Sequence, residues 1–218
     1  MTNRLWLALA FMLAIAGVGW LGLAYRSGDV PGTRTAAERP TLALLTSLPL
    51  VFGESFSVEG GGSPALTRLE QRYHVLPIAV ADTASLRGQG LLLMAQPRAQ
   101  PAEVLVDLDR WVRGGGRLLL LADPRLDWPS RRPLGDLLRP PPMFADTGLL
   151  SHWGLQLSPS GLASSGGCQV AEDGLVAHCR IGRGQATVIA DADFLNVERA
   201  DASGLDQLIA ELGRLETR

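Results

Sequence analysis

The chain has 218 residues, 46% of them hydrophobic and 19% charged, with 25 Gly and 14 Pro. That balance excludes a disordered or collagen-like chain and suits one domain with a short appendage. All 20 basic residues are Arg, and the lack of any Lys excludes a Walker A ATPase, a Schiff-base enzyme and a Ser–Lys hydrolase. From Ser27 onward 18 Arg face 22 Asp and Glu, a net of −4, which argues against nucleic acid as a partner.

Leu5 to Tyr25 is a stretch of 21 residues without a charge. A helix over it spans roughly 30 Å, the thickness of a bilayer's hydrocarbon core. Trp6 at one end, and Trp20 with Tyr25 at the other, suit the two interfacial belts. The expectation is one transmembrane helix within residues 1–26. A cleavable signal is the rival reading, because Gly22-Leu23-Ala24 offers small residues where a signal peptidase reads them. No Cys follows the segment, which argues against lipoprotein attachment. The flanking Arg are nearly balanced, so orientation rests on the short amino-terminal side, which favours N-in. The protein is then single-pass in the inner (cytoplasmic) membrane, its domain facing the periplasm or the cell exterior. Residues 27–40, rich in Gly, Pro and Thr with no apolar period, read as a linker, and 41–218 as the domain.

In the domain, Thr41 to Thr46 is a continuous apolar run, as expected of a strand buried on both faces. Ser63-Pro64 is an N-cap with proline at the first helical position, and Leu66, Leu69 and Tyr73 follow at helical spacing. Val75 to Val80 is a strand interrupted by Pro77, hence near an edge. Gly90 to Ala95 reads as a strand. Pro101 opens a helix whose apolar stripe is Val104, Leu105, Leu108, Trp111 and Val112, stopped by Gly114-Gly115-Gly116. Arg117 to Ala122 is another buried strand. Strand, helix and strand with short joints make a βαβ unit and predict a mostly parallel sheet flanked by helices.

Asp123 to Thr147 is a proline-rich insertion, and Gly148 to Trp153 a short helix. A hairpin turns about Asp173-Gly174, Gln185 to Ala190 is the last strand, and Leu205, Leu208, Ile209, Leu212 and Leu215 mark a closing amphipathic helix. A two-residue turn at Asp173-Gly174 sets Cys168 opposite Cys179, at a hydrogen-bonded pair about 5.5 Å apart between Cα atoms, within disulfide range. A disulfide fits an oxidising compartment and supports export; two small buried thiols are the alternative.

Leu91-Leu-Leu-Met-Ala-Gln-Pro97, the run from Leu108 through the glycines to Asp123, and Gly184 to Leu195 together resemble the auxiliary-subunit family of uncharacterised ABC-type transport systems of the gliding-motility type. The resemblance implies a flavodoxin-like, glutamine-amidotransferase-like extracytoplasmic domain. It implies an accessory or ligand-recognition role, an ABC transporter permease as partner, and no catalytic residues.

Ligands of parallel α/β sheets bind outside the carboxyl ends of the strands. Glu54 in the loop Ser47 to Gly62, Gln96, Asp123, Asp191 and Asp193 are therefore the candidate ligand-binding residues. The three Asp could hold Mg²⁺ or Ca²⁺ through oxygen; the alternative, which the residue reading prefers, is that they cap turns and that no metal or cofactor is bound. Gly60-Gly61-Gly62-Ser63 before a helix could meet an anion or serve as a connector. A nucleophilic hydrolase needs its nucleophile on a strained turn after a strand, and Gln96-Pro97 supplies none. His74, His152 and His178 read as surface or packing residues. Arg125, Arg131, Arg132 and Arg139, with Trp128, could meet a partner or anionic headgroups, or simply be solvated. The function expected is a non-enzymatic, membrane-anchored accessory or recognition protein for a small-molecule or glycan ligand. The alternative is a degenerate amidotransferase-like hydrolase that uses the acidic strand ends.

Overall fold

The computed structural model describes residues 33–52, 62–196 and 203–217. The apolar segment 5–25 and Glu54 lie outside them. Among the described residues no helix is long and apolar enough to cross a membrane.

The domain is a mixed α/β fold. Its strands are β1 (Thr41–Thr46), β2 (His74–Pro77), β3 (Leu91–Ala95), β4 (Arg117–Leu121), β5 (Leu155–Ser158), β6 (Gly161–Ser164), β7 (Cys168–Val170), β8 (Val176–Ile181) and β9 (Gly184–Ile189). Its helices are α1 (Pro64–Glu70), α2 (Ala102–Arg113), α3 (Leu149–His152) and α4 (Ser203–Glu216). Seven strands form one sheet in the order β2-β1-β3-β4-β9-β8-β7, and β5 pairs with β6 in a second. The five from β2 to β9 run parallel; β8 and β7 continue the sheet antiparallel.

Period-two side-chain alternation explains why continuous leucine runs become central strands. On one face Leu42, Leu44, Leu93, Leu119 and Leu121 pack under α1 and α4. On the other, Leu45, Leu92, Met94, Leu118 and Leu120 meet Val104, Leu108 and Val112 of α2 and Leu149 and Leu150 of α3. Burying one such leucine contributes roughly 1.5–3 kcal/mol, so both faces must be covered for the runs to be stable in water. Ser63 caps α1 by accepting from the Leu66 N–H at 3.1 Å, with Pro64 at its first turn. β2 ends at Pro77 on the edge of the sheet, where a residue without an N–H costs no ladder bond.

Part of the 27–40 stretch is folded against the domain. Ala36–Glu38 is a 3₁₀ turn closed by Thr35 and Glu38, and Arg34 pairs with Glu216 at 2.7 Å while lying over the Tyr73 ring. That ties the start of the described residues to the end of α4.

A disulfide joins Cys168 and Cys179, which stand opposite each other in the β7–β8 ladder. The turn differs from the two-residue form that Asp173-Gly174 suggests. The ladder closes at Ala171 and Val176, where Ala171 N–H donates to Val176 O at 2.8 Å, and Gly174 N–H turns back to Ala171 O at 2.9 Å. The register is kept, but the phase of hydrogen bonding moves by one pair. The cysteines therefore occupy a non-hydrogen-bonded position with Cα atoms 4.2 Å apart instead of about 5.5 Å. The cause is the neighbouring hairpin: Leu162 N–H donates to Gly174 O at 2.7 Å and draws the turn onto β6.

The β5–β6 pair and the tight Gly182-Arg183 turn between β8 and β9 were not foreseen from the sequence. After that turn, Gly184 starts β9 so close to α2 that a Cβ there would lie 2.0 Å from the Val112 carbonyl oxygen.

Candidate functional site

Gln96, Asp123, Asp191 and Asp193 follow the carboxyl ends of β3, β4 and β9, and the fold brings them together. One ligand oxygen from each of Asp123, Asp191 and Asp193 lies within 4.8 Å of the others. Parallel pairing of β3, β4 and β9 in a common register makes this convergence obligatory. Glu54 is outside the described residues.

Gln96 is fully buried and is the one non-glycine residue with a positive φ (46°) among those described. The preceding-proline effect disfavours that backbone further, since Pro97 pushes its predecessor toward extended conformations. What holds it there is a ring of hydrogen bonds. Gln96 N–H donates to Leu121 O at 3.0 Å, and the Ser47 hydroxyl donates to Gln96 O. The side-chain amide then pairs with the main chain of Asp123 as another peptide would: Nε2 donates to Asp123 O at 3.1 Å, and Oε1 accepts from Asp123 N–H at 2.9 Å. Nε2 also reaches Pro141 O at 3.5 Å.

The carboxylates are occupied in a similar way. Asp123, buried, accepts from Arg125 N–H at 2.7 Å and from Ala192 N–H at 3.0 Å. Asp191 accepts from Asp193 N–H at 2.8 Å, and Asp193 accepts from Asp127 N–H at 2.8 Å. Asp123 and Asp193 thus stitch the insertion to the segment after β9, while Asp191 caps its own turn. Burial pushes the Asp191 carboxyl above the ordinary aspartate range; the Asp123 charge adds to this, while backbone N–H groups oppose it. Asp193 is raised for the same first reason, reinforced by the charges of Asp123, Asp191 and Asp127. Chemically the cluster can share a proton, and its oxygens are of the kind that hold a hard divalent cation.

Asp127 escaped the sequence reading because nothing local marks it: its partner Asp193 is 66 residues away. The histidines lie at the surface: His74 and His152 are exposed and His178 is half-buried. His152 stands beside Arg113 and Asp109 where α3 meets α2, and His178 Nδ1 is 3.2 Å from the Thr187 hydroxyl.

No family model matches the sequence, and no curated protein matches it. Several solved structures are similar in fold. The mmIFT52 N-terminal domain superposes with a TM-score of 0.51 at 13% identity, covering 79% of this chain and 96% of that one. The exo-β-1,4-mannosidase Op5Man5 from Opitutaceae bacterium strain TAV5 gives 0.43 at 14% identity, covering 81% of this chain and 36% of that one. A β-galactosidase from Bacillus circulans sp. alkalophilus gives 0.40 at 14%, covering 82% and 31%. The chain spans about a third of the length of these two glycosidases. At such identities the likeness concerns the fold alone.

Proposed function

We propose that this chain is a non-catalytic, membrane-anchored extracytoplasmic protein that recognises a ligand or partner in the service of an ABC-type transport system. Gln96 carries the reading. It has the strained backbone, at the carboxyl end of a central strand, on which hydrolases of the α/β class display a nucleophile. Here the side chain is turned inward and both ends of its amide are used on the Asp123 backbone. A primary amide so engaged cannot attack a substrate. The five parallel strands in spatial order second, first, third, fourth, fifth support a flavodoxin-like assignment, an order that binds ligands at its switch point between β1 and β3. The Cys168–Cys179 disulfide supports an oxidising compartment, and the uncharged run 5–25 supports an anchor.

One observation favours a second reading, a degenerate amidotransferase-like hydrolase. Two carboxyls, Asp191 and Asp193, are held above their ordinary range at strand ends, as general acids often are. Purified full-length protein is to be assayed for glutaminase, esterase and glycosidase turnover and for labelling by hydrolase-directed probes. The proposal expects none. Turnover abolished by Asp123→Asn or Asp191→Asn in a folded protein would replace it with the hydrolase. Purification from detergent-solubilised membranes tests the transport assignment, which falls if no permease or ABC ATPase accompanies the chain.

A further inference from the structure

At the amino ends of β3 and β4, away from the acidic cluster, an open cavity of about 500 Å³ lies between residues 83–89 and the carboxyl half of α2. Gly88 and Gly115 leave it room: both have a positive φ, and a Cβ at either would meet nothing within 4 Å. Trp111 lines the cavity, half-buried, with its ring against Gly116 and its indole N–H donating to the Gln89 carbonyl at 3.1 Å. A cavity of this volume, part aromatic and part polar, is of the size that takes a small organic ligand.

Two polar side chains of the lining have no work inside the protein. Gln89 Oε1 is buried and has no hydrogen-bond partner among the described residues, and its Nε2, which is not buried, has none there either. An acceptor left unsatisfied in this way destabilises the folded chain. The Arg87 guanidinium is exposed and has neither a hydrogen-bond nor an ion-pair partner among the described residues.

The charge of the lining comes from Arg87, Arg110 and Asp107. Arg110 Nη1 meets Asp107 Oδ1 at 2.7 Å, and Asp107 Oδ2 accepts from Thr83 N–H at 3.1 Å, so the positive charge of Arg87 is left uncompensated. The carbonyls that end α2 do not oppose an anion. Those of Arg110, Trp111 and Val112 accept from the N–H groups of Gly114, Gly115 and Gly116, and those of Arg113 and Gly114 accept from Arg183.

We propose that this cavity binds a hydroxylated monocarboxylate, a sugar acid. Arg87 and Gln89 Nε2 take the carboxylate, Trp111 takes the apolar side of the sugar ring, and Asp107 accepts from a hydroxyl. A guanidinium matches a carboxylate in both charge and geometry. Phosphate would bring a second negative charge against Asp107, and a neutral sugar would leave Arg87 unused. The inference rests on the recognition part of the proposed function and not on its anchor or its transport partner.

The test is equilibrium dialysis of the detergent-solubilised full chain against radiolabelled D-glucuronate. Saturable binding is expected, displaced by unlabelled glucuronate but not by the same concentration of D-glucose, nor by inorganic phosphate at matched ionic strength. Arg87→Gln should weaken it about tenfold or more, the scale of one hydrogen bond to a charged group. Arg87→Lys should weaken it less, because the charge stays while the fork is lost. Gln89→Leu should weaken it roughly fivefold and yet raise the Tm of the free protein, since it removes the orphaned acceptor. Neither side chain has a partner to lose, so these variants fold. Absence of saturable binding, or binding unchanged by Arg87→Gln, overturns the proposal. Displacement by phosphate as effective as by glucuronate overturns it too, by reducing the cavity to a simple anion site. A lower Tm for Gln89→Leu does the same, by making Gln89 a structural residue. Incubation with p-nitrophenyl β-D-glucuronide separates this failure from that of the proposed function: its hydrolysis refutes the non-catalytic reading, whereas a lack of both binding and hydrolysis strikes the sugar-acid site alone.

Discussion

Replacing Gln96 separates its structural work from every other role at the sheet's carboxyl end. Gln96→Ala removes both amide hydrogen bonds to Asp123. The Asp123 carbonyl keeps the Phe144 N–H at 2.7 Å, but the Asp123 N–H loses the partner it has at 2.9 Å, in a residue that is buried. One orphaned buried donor costs about 1–3 kcal/mol, and the lost methylene adds ~1 kcal/mol with its cavity. The expected total is about 2–4 kcal/mol, which in a domain of this size lowers Tm by roughly 4–16 °C. Gln96→Glu keeps the shape and the acceptor for Asp123 N–H, but sets a second carboxyl oxygen against the carbonyls of Asp123 and Pro141, where Nε2 now donates. That carboxyl prefers to be protonated in the folded state. The native state then binds more protons than the unfolded one above the ordinary glutamate range near ~4.3, so the variant recovers stability as pH falls from neutral toward that range. Urea unfolding followed across pH measures both. The reasoning fails if the alanine variant loses less than ~1 kcal/mol, or if the glutamate variant's deficit is the same at acid and neutral pH.

Other consequences can be measured on the same protein. Asp191→Asn and Asp193→Asn should each raise Tm at neutral pH, because the folded state holds these carboxyls above their ordinary range; the gain should shrink as pH falls through the raised values toward the ordinary aspartate range. With the acids acting as turn caps, millimolar Ca²⁺ or Mg²⁺ should move Tm no more than NaCl of equal ionic strength, and a specific rise would establish a cation site. Asp109 has the opposite sign: burial works against its charge, but the Arg113 guanidinium at 2.7 Å and the Trp153 indole N–H at 2.8 Å outweigh it and hold the carboxyl below its usual range. Its contribution is present above pH ~4 and lost as pH falls through the lowered value, so Asp109→Asn should cost about 1 kcal/mol at pH 7 and nothing in strong acid. Thiol titration of denatured, unreduced protein should find no free thiol, and Cys168→Ser with Cys179→Ser should cost about 3 kcal/mol for a loop of this length. Gly184→Ala should cost about 3 kcal/mol or more, since its Cβ lands 2.0 Å from Val112 O.

The parallel core was legible because it is buried on both faces. Leu91–Ala95 and Arg117–Leu121 have no polar alternation to confuse, and the glycines after α2 and the proline before it frame the helix between them. Such runs announce themselves by composition alone. The β5–β6 hairpin does not: its strands are four residues each, and β6 is buried only at Gly161 and Leu162, too short for any period to show. The Asp173-Gly174 turn lies between. Its position was marked by residue type, but its form was decided by Leu162 from another hairpin, and a turn signal carries no information about a neighbour's N–H.

The candidate site divides along the same line. That acids end β4 and β9 is written locally, and strand pairing suffices to bring them together. Their partners are not local: Ala192 N–H reaches Asp123 across 69 residues, and Asp127 N–H reaches Asp193 across 66. Those bonds make the cluster a seam that fixes where the insertion leaves and where β9 ends. Gln96 deepens the seam, because its amide substitutes for a peptide that the chain does not supply there.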